Sequence, residues 1–213
     1  MKNSPVNISA SVHQCLLNHA NETGRSLNEW LYLYAAERFL HRLASSPYKE
    51  KLILKGSMVF IARKAPQTRP TIDIDFLGFT QNTPENMENI IRDICCVSPA
   101  EDDGMHFDAE TVHAIYIKKD AEYQGVRISF MGFIGKIRIR MQIDVGFDDI
   151  VCPAPERITF PVILNYTAPE ILTYTLESMI AEKVEAMVKL GLLNSRMKDF
   201  LIYGWQQNNG HSK

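Results

Sequence analysis

An unbroken run of residues, 136–145, alternates between apolar and polar side chains along its whole length. Successive side chains of a β-strand point to opposite faces, so this pattern predicts a strand with one buried face and one polar face. The apolar positions are Ile137, Ile139, Met141, Ile143 and Val145, and the polar ones are Lys136, Arg138, Arg140, Gln142 and Asp144. A strand of this kind belongs in a sheet that is covered on one side.

A second predicted strand, residues 71–76, carries two aspartates that face the same way. Asp73 and Asp75 are two residues apart and alternate with apolar Ile74. Two like charges at this spacing raise each other's pKa unless a cation lies between them, and Mg²⁺ prefers such oxygen ligands. A solvated strand edge is the commoner explanation of an isolated Asp-x-Asp. Asp144, on a strand expected to lie beside this one, is the predicted third metal ligand or general base.

The segment before these aspartates resembles a phosphate-binding turn. Residues 52–54 predict a short buried strand, Gly56 and Ser57 end it, and residues 58–62 predict a helix. Such a junction presents backbone N–H groups and a hydroxyl, which suit a phosphate. A simple strand-to-helix turn is the alternative. Basic residues, among them Arg69, lie close by in the chain.

Periodicity and capping signals predict the remaining elements. Apolar spacing predicts two helices over residues 9–44, divided by Gly24 and a Ser26-x-x-Glu29 capping box, and a third that begins at Thr83-Pro84 and runs to about residue 96. Residues 105–109, 112–117 and 126–130 predict strands, residues 176–190 predict a helix, and another helix starts near residue 195. The acids at 101–103 and at 148–149 are interpreted as loop, residues 153–169 as an irregular connection, and Glu182 as part of a solvated helix face.

Composition limits the class of protein but not its function. The 213 residues can bury one principal core, and the net charge of −2 gives no global positive field for nucleic acid. The N-terminus lacks the apolar run of a signal peptide, and no stretch is long enough to span a membrane, so we expect a cytoplasmic protein. The four cysteines show neither metal-ligand nor disulfide spacing and are expected to stay reduced.

Several motifs, taken together and in order, resemble one known family. The segments LKGS, TIDIDFLG, QIDVGF and AEKVEAMVKLGLLNSRMKDF are similar to those of the nucleotidyltransferase toxins typified by AbiEii and AbiGii, a branch of the DNA polymerase beta-like superfamily. The resemblance implies an α/β (α+β) fold, in which helices flank a mixed β-sheet. It also implies three regions: an N-terminal helical hairpin over residues 1–48, the nucleotidyltransferase core over 49–165 and C-terminal helices over 166–213.

The same resemblance implies the chemistry and the residues that carry it. It predicts Mg²⁺-dependent transfer of NMP from an NTP to a cellular acceptor, with RNA such as tRNA as the acceptor, by a toxin that has a cognate antitoxin. Mg²⁺, in a one- or two-metal site, would be held by Asp73, Asp75 and Asp144, and Lys183 and Asp199 would act near the triphosphate. The implied nucleotide-binding residues are Lys55, Gly56, Ser57, Arg69 and Thr71.

Two alternatives stay open at the level of sequence. After residue 200 the chain departs from the family pattern, which implies a truncated C-terminal helical region and an inactive remnant that binds nucleotide or a partner as the main alternative. A ribbon-helix-helix regulator, based only on residues 20–35, is a weaker one. A basic patch along Arg138 and Arg140 would favour RNA as the acceptor, whereas an isolated pocket would favour a protein or small molecule.

Overall fold

The computed structural model describes residues 7–63, 73–118, 124–147 and 149–190. Within these residues the chain forms five helices and one seven-stranded sheet. In chain order the elements are α1 (Ile8–Thr23), α2 (Leu27–Ala44), β1 (Leu52–Lys55), α3 (Ser57–Ala62), β2 (Ile74–Gly78), α4 (Pro84–Cys95), β3 (Met105–Lys118), β4 (Gln124–Ile134), β5 (Ile137–Gly146), β6 (Glu156–Thr159), β7 (Glu170–Thr173) and α5 (Leu176–Leu190).

The sheet is mixed, and its strand order does not follow the chain. The order is β3-β4-β5-β2-β1-β7-β6, with β2 parallel to β5, β1 parallel to β7 and the other neighbours antiparallel. The predicted α/β fold with a mixed sheet is therefore confirmed. So is the prediction that the aspartate-bearing strand β2 lies beside β5, although the two are more than 55 residues apart in sequence.

Local capping signals place the helix ends. Gly24 ends α1 in the left-handed conformation, with φ 70°, and the Ser26 side chain then accepts a hydrogen bond from the Glu29 N–H at 3.3 Å. The Thr83 hydroxyl caps α4 in the same way, at 3.2 Å from the Asn86 nitrogen. Among the described residues, no helix has the length and apolar character needed to cross a membrane.

The alternation of β5 divides the sheet into a covered and an open side. Met141, Ile143 and Val145 are fully buried. Helix α2 packs on this side, where the centroid of its Phe39 ring lies 5.8 Å from that of Phe107 and 5.4 Å from that of Phe130. The opposite side of β5 carries the exposed Arg138 and Arg140. The sheet therefore has a buried face under α2 and a polar face that leads to the functional residues.

The structure corrects the interpretation of two segments. Residues 153–169 are not wholly irregular, because they contain β6 and lead into β7, which form the far edge of the sheet. Each strand has four residues and prolines lie around them, so the period-two signal is too short to recognise. Conversely, residues 105–118 form one strand instead of two, with a register shift between Asp108 and His113.

The acidic turn at 101–103 is not wholly solvated. Asp103 is 1% exposed, and its two carboxylate oxygens accept hydrogen bonds from Arg42 at 2.9 and 3.0 Å. Arg42 lies on α2, 61 residues earlier, and supplies the counter-charge that allows an acid to be buried. This pair ties the start of β3 to α2.

Candidate active site

Strand register places four charged side chains in one row across the polar side of the sheet. Lys55 of β1 pairs with Asp75 of β2, Asp75 pairs with Asp144 of β5, and Asp144 pairs with Arg127 of β4. Residues opposite each other in neighbouring strands point to the same face. In the strand order β1, β2, β5, β4, the row therefore consists of a lysine, two aspartates and an arginine.

Three carboxylates converge at the centre of this row. Asp73 lies directly before β2, and one oxygen each from Asp73, Asp75 and Asp144 lies within 4.8 Å of the other two. Asp144 is 5% exposed, and the other two are half-buried. Three carboxylate oxygens at this spacing form the hard donor set that Mg²⁺ prefers, so the residues fit such an ion. The sequence predicts that these aspartates come together, and the structure brings them together.

Gly56 allows Asp75 to take its position. The residue has φ 69° and ψ −154°, a conformation open to glycine and strained for other residues. A Cβ at this position would also lie 2.2 Å from the Asp75 carboxylate oxygen Oδ2. Ser57, the first residue of α3, follows and is half-buried. The Gly-Ser turn of the sequence is thus packed directly against one of the three aspartates.

Lys55 is held by two carboxylates that the sequence interpretation treats as loop and solvated surface. Its Nζ donates to Asp149 at 2.7 Å and to Glu182 at 2.6 Å, and lies 5.5 Å from the centre of the Tyr174 ring. Burial alone would lower the pKa of Lys55, but the charges of Glu182 and Asp149 raise it above its ordinary value. The ammonium stays charged, and it joins β1, the segment after β5 and α5.

Arg127 is a member of the site that sequence reasoning missed. Its Nε and Nη2 donate to the two oxygens of Asp144, each at 2.8 Å. These hydrogen bonds raise the pKa of the guanidinium and hold the Asp144 carboxylate in a fixed plane. Alternation with Val126 and Ile128 could have placed Arg127 on the polar face, but its partner depends on strand register, which the local sequence does not reveal.

Tyr32 of α2 also experiences the charge of the site. Its side chain is 8% exposed, and its hydroxyl makes no hydrogen bond to any residue that the structure describes. Burial, and then the negative charges of Asp73, Asp75 and Asp144, raise the pKa of this hydroxyl. The hydroxyl therefore stays protonated.

Of the other predicted site residues, Lys183 alone lies in the part of the chain that the structure describes. Lys183 lies on α5, directly after the Lys55 partner Glu182, and is half-buried. Arg69, Thr71 and Asp199 lie outside the described residues. The structure thus brings together Lys55, Gly56, Ser57 and the three aspartates.

A family model described as "Nucleotidyl transferase AbiEii toxin, Type IV TA system" matches residues 38–201. No curated protein matches the chain.

Three solved structures match the chain, each with a TM-score below 0.5. JHP933 from Helicobacter pylori has 15% identity and a TM-score of 0.47 over 75% of this chain and 57% of its own. A putative nucleotidyltransferase from H. pylori has 18% identity and a TM-score of 0.43 over 75% and 58%. The antibiotic-resistance factor ANT(2'')-Ia has 12% identity and a TM-score of 0.42 over 81% and 83%. The chain thus spans less than two thirds of the two H. pylori proteins.

The range matched by the family model shows whether the chain belongs to the family. Residues 38–201 form most of the 213-residue chain and include Gly56, Ser57 and all three clustered aspartates. The chain belongs to the AbiEii nucleotidyl transferase toxin family of type IV toxin–antitoxin systems.

Proposed function

We propose that this protein transfers NMP from an NTP to an RNA acceptor such as tRNA, in a Mg²⁺-dependent reaction, as the toxin of a pair with a cognate antitoxin. The observation that carries the proposal is the convergence of Asp73, Asp75 and Asp144 within 4.8 Å. Family membership supports the reaction class and the antitoxin. The exposed Arg138 and Arg140 on the strand that carries Asp144 support RNA as the acceptor.

The proposed chemistry is an in-line displacement at the α-phosphorus. The acceptor oxygen forms a bond to this phosphorus, the bond to pyrophosphate breaks, and the acceptor proton passes to Asp144. Mg²⁺, when bound by Asp73, Asp75 and Asp144, would neutralise charge on the phosphates. Arg127 holds the Asp144 carboxylate with two 2.8 Å hydrogen bonds, so the proposed base is oriented before substrate arrives.

The nucleotide would lie along the edge of the row beside Gly56. Gly56 and the Ser57 hydroxyl are next to the Asp75 carboxylate, where the phosphates of a metal-bound nucleotide would come. Lys55 would exchange one of its carboxylate partners for a phosphate oxygen, and Lys183 would act as a point charge on the leaving pyrophosphate. Arg69, Thr71 and Asp199 complete the proposed set through the family resemblance.

Transfer of label from each of the four α-labelled NTPs tests this function. The protein is incubated with Mg²⁺ and either bulk tRNA or a total cell extract, beside an Asp75→Asn variant and a Glu85→Gln control. Glu85 is an exposed acid on α4, a helix that contributes no residue to the row. We expect label on RNA with the wild type and the control, and loss of at least 100-fold with Asp75→Asn, since the substitution removes one carboxylate from the metal site.

The other outcomes are equally informative. Label on a protein or small molecule alone would contradict RNA as the acceptor and leave the transfer chemistry intact. Folded protein that labels nothing with any NTP would contradict the enzyme and favour a chain that binds nucleotide or a partner without turnover.

A further inference from the structure

Beyond the acidic cluster, one side of β3, β4 and β5 forms a surface that the proposed chemistry does not use. We call it the open sheet face. Its side chains alternate with the buried ones and are exposed or half-buried. They comprise His106, Asp108, Ile115, Met131, Phe133, Arg138 and Arg140.

The open sheet face carries two arginines, one acid (Asp108) and two aromatic rings. Neither Arg138 nor Arg140 forms an ion pair with any described carboxylate, whereas Arg127 is paired with Asp144 and Arg157 with Glu50. Both arginines are exposed, so their charge is available to a partner. In strand register Arg138 is opposite Phe133, which is opposite His106, and the two rings lie 6.3 Å apart.

The same face is continuous with the proposed catalytic residues. Arg138, Arg140 and Asp144 lie on one strand at even spacing and therefore on one face. At a rise of about 3.4 Å per residue, Arg140 is about 14 Å and Arg138 about 20 Å along β5 from Asp144. A linear polyanion that runs along β5 with its end at Asp144 would therefore pass over both arginines.

Resting on the proposed function, we propose that the open sheet face binds the single-stranded end of the acceptor RNA that carries the reacting hydroxyl. Arg138 and Arg140 contact its phosphates, and a base stacks on Phe133. Single-stranded RNA is bound by such a combination of basic side chains and exposed rings, often on the surface of a sheet. A polyanion without rings, such as polyglutamate, would use the two charges alone, because it has nothing to stack on the ring.

RNA binding in the absence of NTP tests this surface separately from catalysis. Fluorescence anisotropy of a 5′-labelled 12-nucleotide single-stranded RNA is measured across a series of salt concentrations. We expect the double variant Arg138→Gln/Arg140→Gln to reduce the salt slope by about 1.4 and to bind about 25-fold more weakly at about 0.1 M salt, since each lost phosphate contact contributes about 0.7 to the slope. Phe133→Leu should weaken binding about fivefold or more without changing the slope.

A matched substitution on the opposite edge of the sheet is the control. Arg157 is an exposed arginine on β6, whereas the open sheet face lies at the β3 end of the strand order. Arg157→Gln should leave RNA affinity and salt slope unchanged. Thermal unfolding of all variants checks that each is folded.

Each remaining outcome contradicts a defined part of the proposal. Wild-type binding that both the double arginine variant and Phe133→Leu leave unchanged would overturn the surface, even for an enzyme that labels RNA. Polyglutamate that binds as tightly as RNA, with Phe133→Leu lacking any effect, would show a face for an acidic protein and would overturn RNA as its partner. Label on a non-RNA acceptor together with no RNA binding would contradict the proposed acceptor, and the surface with it.

Discussion

Gly56 is the residue on which the position of Asp75 most directly depends. Its backbone conformation and the 2.2 Å approach of the Asp75 carboxylate to the place of a Cβ both exclude a larger residue. The turn in the sequence could be explained by phosphate binding alone. The structure adds a second reason for the glycine, which is that a carboxylate occupies the space a side chain would need.

Substitution of Gly56 should therefore damage the metal site more than the fold. We expect Gly56→Ala to destabilise the protein by about 1–3 kcal/mol, from backbone strain, and to abolish measurable Mn²⁺ binding because the Asp75 carboxylate is displaced. Urea unfolding measures the first effect and calorimetric titration with Mn²⁺ the second.

Gly24→Ala is the matched control for this prediction. Gly24 also has a positive φ, 70°, but a Cβ there would have nothing within 4 Å. The control should lose about 1 kcal/mol and keep its Mn²⁺ affinity. Equal losses of Mn²⁺ binding in both variants would contradict a specific role for the space beside Gly56.

Among the elements, α5 is attached to the sheet through a charged contact. Lys55 on β1 reaches Glu182 on α5 and Asp149 after β5, and these acids are 40% and 33% exposed. One buried ammonium thus joins three parts of the chain that are far apart in sequence. Because α5 also carries Lys183, this contact decides where that proposed phosphate-binding residue lies.

Loss of the Lys55 ammonium should loosen α5. We expect Lys55→Met to lower the free energy of unfolding by about 1–3 kcal/mol, less than for a fully buried pair because water reaches the two acids. Hydrogen exchange should rise in α5 and stay unchanged in α4. Lys49→Met, which removes an exposed lysine just before β1, is the control. Unchanged exchange in α5 of the Lys55 variant would show that apolar packing alone holds the helix.

Across the whole molecule, the acidic cluster exists only when the sheet is assembled. Asp73 and Asp75 reach Asp144 because β2 and β5 are parallel neighbours, with Asp75 in register with Asp144. An unfolded chain has no such cluster, so a divalent ion binds the folded state preferentially. Metal binding and stability are therefore linked.

This linkage predicts a metal-dependent melting temperature. At a Mn²⁺ concentration about ten times its Kd, folding gains about 1.4 kcal/mol, which for a chain of this size raises Tm by about 3–6 °C. Differential scanning fluorimetry should show the shift with wild type and with Glu85→Gln, and EDTA should reverse it. An equal shift with Asp144→Asn would place the ion away from the three aspartates.

Local patterns of sequence predict a large part of this molecule. Residues 176–190 predict α5 with the observed start, Thr83 predicts the start of α4, and the alternation of residues 136–145 predicts β5 and the face on which Asp144 lies. These signals depend on neighbours within about four residues, so they can be recognised directly in the sequence. The three aspartates could also be grouped before the structure was known, because the family resemblance implies that they share one metal site.

Only the tertiary structure decided the partners of the charged residues. The sequence predicts a solvated Asp103, but in the structure Arg42 forms an ion pair with it. Asp149 and Glu182 are likewise predicted to be solvated, but both form hydrogen bonds with Lys55. Such pairs join residues that are 61 to 127 positions apart. The sequence by itself determined the elements and the residues on each face, since these follow from local geometry. The pairing of charges depended on strand order and register, which arise when the whole chain packs around one core.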